Sequence, residues 1–254
     1  MKRPKISIVG SGNVAFTLAT ALNEAGFSIN QIAGRNIREV QKLATRTHSD
    51  AVSIDKLDFN TDVILLCIAD DAIAAIAKKI GIYDGVIIHC SGSIPLDILP
   101  QKNKAVLYPF ISMKKENKTD LNNADIFIEA GSDKAKKTVA LLAKSISKHV
   151  KSINSQQRLH LHIAAVFAHN FVNHQMHLAQ MILKQHGMKF DLLEKLITSY
   201  FAQLKIKTPD KLQTGPAMRK DNEIIKKHLK LLDGNADLKK IYQIMTNNIQ
   251  KLDS

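Results

Sequence analysis

Gly10, Gly12 and Ala15 stand in the order G-x-G-x-x-A within "IVGSGNVA". The apolar run Ile6–Val9 precedes them, and a helix-like run over Val14–Ala25 follows. At this spacing the first glycine permits a tight turn. The second leaves room for a pyrophosphate against the backbone, and Ala15 lets the helix pack close to the strand. The phosphates would then face free N–H groups at a helix N-terminus, where the helix dipole favours negative charge. Gly10, Ser11, Gly12, Asn13 and Val14 are therefore candidate dinucleotide contacts.

Three further strand ends should share that edge of the sheet. A site built for NAD carries Asp or Glu after the second strand, for the ribose 2′-hydroxyl. This chain has Arg35-Asn36 in "QIAGRNIREV". A guanidinium can hold a 2′-phosphate bidentately, and Asn36 can bond it or cap the next helix, so the pair points to NADP(H). The bland alternative is that Arg35 is an ordinary surface arginine. "VILLCIADDAI" places Ala69 and Asp70 at another end, and "VIIHCSGSIP" places Ser91 and Gly92 at a third. These small residues leave space for the nicotinamide-ribose half. Asp71 and Ser93 also read as helix caps.

Polar residues that could handle a substrate gather in the second half. In "RLHLHIAAVFAHNFVNHQMHLAQ", His162, His169, Asn170, Asn173, His174 and His177 fall on one helical face at 100° per residue. His162 is a candidate general acid and Asn170 a candidate orienting group for a carbonyl or imine. A cleft lining, a solvated face and an interface strip all fit this pattern. No Cys or carboxylate shares the face, so a metal site is not expected. Tyr108 and Asn173 are further cleft candidates. In "LQTGPAMRKDNEIIKKHL", Thr214 reads as an N-cap and Pro216 as an early helical position. Arg219 and Asp221 would then lie in the first turns, either paired with each other or near an anionic ligand.

The elements needed to position these groups follow from periodicity. Strands are expected at Ile6–Val9, Ile29–Ala33, Val63–Ile68, Val86–His89, Ala105–Tyr108 and Ile126–Glu129. Helices are expected at Val14–Ala25, Ile37–Arg46, Asp71–Ile80 and Asp133–Ser147. Short apolar strands alternating with helices indicate an α/β fold, a doubly wound and mostly parallel sheet of Rossmann type. Beyond residue 155 only helical periods remain: Gln156–His186, Phe190–Lys205, Pro216–Leu232 and Ala236–Leu252. The expected organisation is a dinucleotide-binding domain over 1–154 and an all-helical domain over 155–254. The long first helix of the second domain invites burial against a partner subunit.

The 254 residues carry 36 Lys and Arg against 23 Asp and Glu, a formal net charge of +13. Such a field favours anionic partners, a phosphorylated cofactor or an acidic substrate among them. Nucleic-acid binding finds little support, because the chain has no Trp and no basic run interleaved with aromatics. No apolar run suits a bilayer span and the start does not read as a signal peptide, so a cytoplasmic protein is expected. Cys67 and Cys90 sit in apolar runs and read as buried thiols.

The strings "IVGSGNVAFTLATAL", "GRN", "CIADDAI", "HCSGSIP", "LYPFISM", "LHIAAVFAHNFVNH" and "LQTGPAMRKDNEIIKKHL" resemble a bacterial family over nearly the full length. Its members are Rossmann-like proteins, provisionally described as NADP oxidoreductases, with a helical C-terminal domain of unassigned function. The N-terminal part also resembles pyrroline-5-carboxylate reductases, 6-phosphogluconate and β-hydroxyacid dehydrogenases, and deazaflavin-dependent NADP oxidoreductases. The resemblance implies NADP(H) binding and a helical domain that pairs two copies, and it supplies no substrate. One departure stands out. The β-hydroxyacid dehydrogenases carry a catalytic Lys one turn before an Asn, and here Val166 precedes Asn170. The expected function is hydride transfer between the nicotinamide and a small carbonyl, imine or related acceptor in a cleft between the domains. The alternative is an NADP(H)-binding redox sensor without chemistry.

Overall fold

A computed structural model describes residues 3–116 and 119–252. Its contacts divide the chain into two compact units, up to Val166 and from Phe167 onward. The change of periodicity at 154/155 coincides with the start of a helix that belongs to the first unit.

The first unit is an eight-stranded sheet in the order β3-β2-β1-β4-β5-β6-β7-β8. The strands are β1 (Ile6–Val9), β2 (Ile29–Ala33), β3 (Asp50–Val52), β4 (Val63–Leu66), β5 (Val86–His89), β6 (Lys104–Pro109), β7 (Asp125–Ala130) and β8 (His149–Ser152). All neighbours pair parallel except β6 with β7. The fold is thus a Rossmann-type, mostly parallel sheet with helices, as the periodicity indicated.

Burial explains the sequence pattern. In β1 and β4 every residue is buried, because helices cover both faces. Side chains alternate between two cores. Ile6, Ile8, Val63 and Leu65 pack with α1 (Asn13–Glu24), α2 (Ile37–Thr47) and α4 (Asp133–Ile146). Val9, Ile64 and Leu66 pack with α3 (Asp70–Ile80) on the other face. The strands without an apolar run are the edges: β3 is three residues long, and β8 reads His-Val-Lys-Ser and is mostly exposed. Asp71 lies inside α3, whose N-cap is Ala69, so the capping role read for Asp71 does not hold.

Helix α5 (Ser155–Ala165) opens on a capping box between Asn154 and Gln157. Its backbone then passes into a π-helical segment, Val166–Phe171. Bonding from i to i+5 inserts residues into the turn. The face drawn at a constant 100° per residue therefore does not run unbroken from His162 to His177.

The second unit is helical: α6 (Val172–Gln185), α7 (Glu194–Gln203), α8 (Asn222–Leu231) and α9 (Ala236–Gln250). A 3₁₀ turn, Phe190–Leu193, leads into α7. The helix expected from Pro216 begins only at Asn222. Gly215 and Lys220 both have positive φ, which a helix does not accommodate, and residues 216–220 form turns instead. Asp221 is the N-cap, its carboxylate accepting from the Ile224 N–H at 3.3 Å. Thr214 caps nothing, and Arg219 is exposed and precedes the helix. Helices α8 and α9 meet through His228 Nδ1 and Tyr242 Oη, 2.8 Å apart. Among the described residues no helix is long and apolar enough to cross a membrane.

Candidate functional site

At the carboxyl edge of β1, β4 and β5 the first unit opens a cleft of about 540 Å³. Its lining begins with the turn after β1. Gly10 has φ +127°, and a Cβ there would lie 2.1 Å from the Cys67 carbonyl oxygen. Only glycine satisfies both conditions. A Cβ on Gly12, by contrast, would meet no protein atom within 4 Å. Gly12 is the N-cap of α1 and offers no side-chain acceptor, and the first turn of α1 carries no acid. The N–H groups of that turn are thus left for a ligand in the cleft, with the positive end of the helix dipole behind them. Ser11, Asn13 and Val14 continue the same wall.

Arg35 and Asn36 lie across from this turn. Arg35 is exposed and has no ion-pair partner among the described residues. Asn36 caps α2 with its Oδ1, accepting from the Glu39 N–H at 3.3 Å. Its NH₂ group remains a donor. Lys115, arriving from the β6–β7 connection, bonds Glu39 Oε2 at 2.8 Å and passes its N–H to Asn13 Oδ1 at 3.3 Å. Together with Lys42 it holds the Glu39 carboxyl down at about 2. No sequence signal distinguished Lys115 from the chain's other lysines.

Ala69, Asp70, Ser91 and Gly92 line the far part of the cleft. Ser91 Oγ accepts from the N–H groups of Ser93 and Ile94, both at 3.0 Å, which folds the turn after β5. A Cβ on Gly92 would stand 2.7 Å from His162 Nδ1 and 2.9 Å from Tyr108 Oη. These two side chains, from β6 and α5, are hydrogen-bonded at 3.0 Å directly over that glycine. Burial pushes the Tyr108 phenol above its usual range. The Arg158 charge works against this shift and that of Asp70 adds to it.

Arg158, one turn before His162, anchors α5. It is 1% exposed, pairs with Glu129 and donates to the Ile94 carbonyl. Ser155 adds bonds from its N–H and Oγ to the same carboxylate. Removing one partner of such a buried pair leaves an uncompensated charge, so Glu129 and Arg158 fix where His162 stands. Beneath Ser91, His89 is fully buried and its Nδ1 accepts the Ser91 N–H at 3.2 Å. Burial, reinforced by the Arg158 charge, lowers His89 to about 3, so the ring is neutral. Neither His89 nor Arg158 was singled out from sequence, since a lone His in an apolar strand and an Arg on a helix carry no signature.

The remaining candidates belong to the helical unit. Asn170 is in the π-helical segment and Asn173 in the first turn of α6, both exposed. Arg219 and Asp221 flank the start of α8. His174 and His177 have ring centroids 6.3 Å apart, and no third metal-ligating side chain joins them among the described residues.

With this geometry in place, comparison with known proteins shows what the chain is similar to. Residues 5–91 match a family model described as "NADP oxidoreductase coenzyme F420-dependent". Residues 124–249 match a "Domain of unknown function (DUF2520)". The chain is thus similar to NADP oxidoreductases over its N-terminal part and to DUF2520 domains over its C-terminal part. A Bacteroides fragilis protein, described as a putative NADP oxidoreductase, is 29% identical, with 98% of each chain covered and a TM-score of 0.90. A 1-pyrroline-5-carboxylate reductase from Streptococcus pyogenes shares the fold at 13% identity, covering 98% of this chain and 99% of that one with a TM-score of 0.62. A reductive aminase from Aspergillus terreus, crystallised with NADPH and ethyl-5-oxohexanoate, shares it at 11% identity, 98% and 92% coverage and a TM-score of 0.65. No curated protein matches the chain.

Proposed function

We propose that the cleft holds NADP(H) and that the protein moves hydride between it and a small carbonyl, imine or related acceptor. One observation carries the reading: the glycine turn and the Tyr108–His162 pair line a single cleft. The turn from Gly10 to Val14 takes the pyrophosphate on its N–H groups. Arg35 and the Asn36 NH₂ take the 2′-phosphate. Ala69, Asp70, Ser91 and Gly92 flank the nicotinamide ribose. The bound cofactor supplies or accepts hydride at the nicotinamide C4, and the protein supplies orientation and a proton.

His162 is the proton donor in this reading. In the imidazolium form both ring nitrogens carry protons. Nδ1–H donates to Tyr108 Oη, and Nε2–H is left for the acceptor. When Nε2 gives up its proton, the ring becomes neutral and keeps the same hydrogen bond to Tyr108. Asn170 is read as orienting the acceptor, with Asn173, Arg219 and Asp221 as further substrate contacts.

The reading includes a cytoplasmic homodimer formed through the helical unit. Phe167, Phe171, Leu192, Leu196 and Phe201 are all exposed on one copy, and a second copy would cover them.

A thermal-shift titration with NADPH, NADP⁺, NADH and NAD⁺ tests the core of the proposal. A ligand bound only to the native state stabilises it by RT ln(1 + [L]/Kd). NADPH should raise Tm well above NADH in the wild type, and Arg35→Ala should erase that difference. His162→Gln should keep the NADPH shift while lowering kcat on any acceptor found. Absence of a shift with all four dinucleotides overturns the reading.

A further inference from the structure

The chain has two cysteines, Cys67 and Cys90, and the fold brings them together at the cleft. β4 and β5 are in parallel register with Leu66 opposite His89. The next residue of each strand is the cysteine, so the two stand side by side. Their Sγ atoms are 3.7 Å apart and both thiols are free. Cys67 is 7% exposed and Cys90 is half-buried. Neighbouring strands run roughly 4.8 Å apart, inside the span of about 4.4–6.8 Å between Cα atoms that a disulfide accepts. Cys67 is also the residue on which the glycine turn rests. Its N–H bonds the Val9 carbonyl at 2.8 Å, and its carbonyl oxygen occupies the place a Gly10 Cβ would need.

We infer that Cys67 and Cys90 form a dithiol site that small disulfides oxidise, and that the resulting bond weakens dinucleotide binding. The step is thiol–disulfide exchange. One cysteine loses its proton and attacks a low-molecular-weight disulfide RSSR, expelling one thiolate and leaving a mixed disulfide. The other cysteine attacks the protein sulfur of that bond and expels the second thiolate. The net reaction converts two protein thiols and RSSR into one protein disulfide and two RSH. The protein is oxidised by two electrons and RSSR is reduced by two. Closing the sulfurs from 3.7 Å to a bond of about 2.0 Å draws the ends of β4 and β5 together under the glycine turn. The chemistry stands on the thiol geometry alone, whereas the effect on binding rests on the NADP(H) reading.

The test treats folded full-length protein with 2-hydroxyethyl disulfide and reads intact mass after alkylation. The expected product has lost two hydrogen atoms, retains no adduct and yields one peptide pair linking Cys67 to Cys90. Cys67→Ser and Cys90→Ser should each stop at the mixed disulfide or the free thiol. NADPH affinity of the linked protein, read from thermal shift, should fall by roughly tenfold or more and return with dithiothreitol. Thiols that stay alkylatable, a bond between two copies, or a link that forms only in denaturant would overturn the site. Unchanged NADPH affinity in the linked protein would overturn its effect on the cleft. Reduced wild type that ignores NADPH refutes the dinucleotide reading instead, and the mass result then judges the dithiol site by itself.

Discussion

Residues 3–166 bury whole strands, with every side chain of β1, β4 and β5 out of contact with water. In residues 167–252 only Ala217, Ile225 and Leu238 are buried among the described apolar residues. The helical unit instead exposes Phe167, Leu196 at 70% and Ile206 at 84%. Both units have amphipathic helices, but only the first has a sheet to receive their apolar faces. Apolar burial yields roughly 25 cal/mol per Å², so the first unit draws its stability from its own interior. Much of the helical unit's apolar surface gains nothing until another surface covers it. Thus the same type of substitution should read differently in the two units.

The sharpest contrast comes from a pair of leucines. Leu65 is fully buried in β4, and Leu65→Ala removes buried methyl groups and leaves a cavity. It should cost about 2–5 kcal/mol in urea unfolding, whatever the protein concentration. Leu196→Ala in α7 should cost the single chain well under about 1 kcal/mol. If the exposed face is an interface, Leu196→Ala lowers the apparent stability more at high protein concentration than at low. Equal costs at all concentrations would break the contrast.

The two glycines of the turn give a second contrast, inside the first unit. Gly10→Ala meets both a positive φ and the Cys67 backbone oxygen. Strain of this kind costs roughly 1–3 kcal/mol, and displacing a backbone oxygen adds to it. Gly12→Ala meets open space and should leave unfolding within about 0.5 kcal/mol of wild type. Under the proposed function its methyl stands where the pyrophosphate would approach, so the NADPH thermal shift should vanish while the protein stays folded. A variant at Gly12 that unfolds like one at Gly10 would show that its role is structural.

How much of this was legible in sequence depends on whether the signal was local. The apolar strands of the sheet centre were readable because both faces are covered, which leaves short runs such as Val-Ile-Leu-Leu in β4. The edge strands β3 and β8 were not, because an edge needs no apolar run. The glycine turn announced itself through spacing. The Tyr108–His162 and Cys67–Cys90 contacts did not, since partners 54 and 23 residues apart meet only once the sheet order is known. Periodicity also failed where the backbone leaves the α-helix. The π-helical segment at Val166–Phe171 carries no composition cue, and the turns before Asn222 depend on Lys220 taking a positive φ.

The last of these contrasts separates the units by acid. His89 has no counterpart in the helical unit, where no histidine is buried. Its folded value of about 3 lies below the ordinary 6.5, through burial first and the Arg158 charge second. Between those values the unfolded chain binds the proton and the folded chain does not. The contribution is therefore complete above pH 6.5 and is lost as pH falls towards 3. At about 1.4 kcal/mol per pH unit below 6.5, going from pH 7 to pH 5 should cost about 2 kcal/mol through this one group. His89→Gln has no ring to protonate, so its stability should decline less steeply over that interval, whatever its stability at pH 7. The comparison to make is the slope of urea-unfolding free energy against pH for the two proteins, followed by a probe in the first unit. Parallel slopes would mean that the His89 ring takes up its proton without unfolding the sheet. Because Nδ1 accepts the Ser91 N–H, Nε2 carries the hydrogen of the neutral ring, and the incoming proton would go to Nδ1 at the cost of that bond.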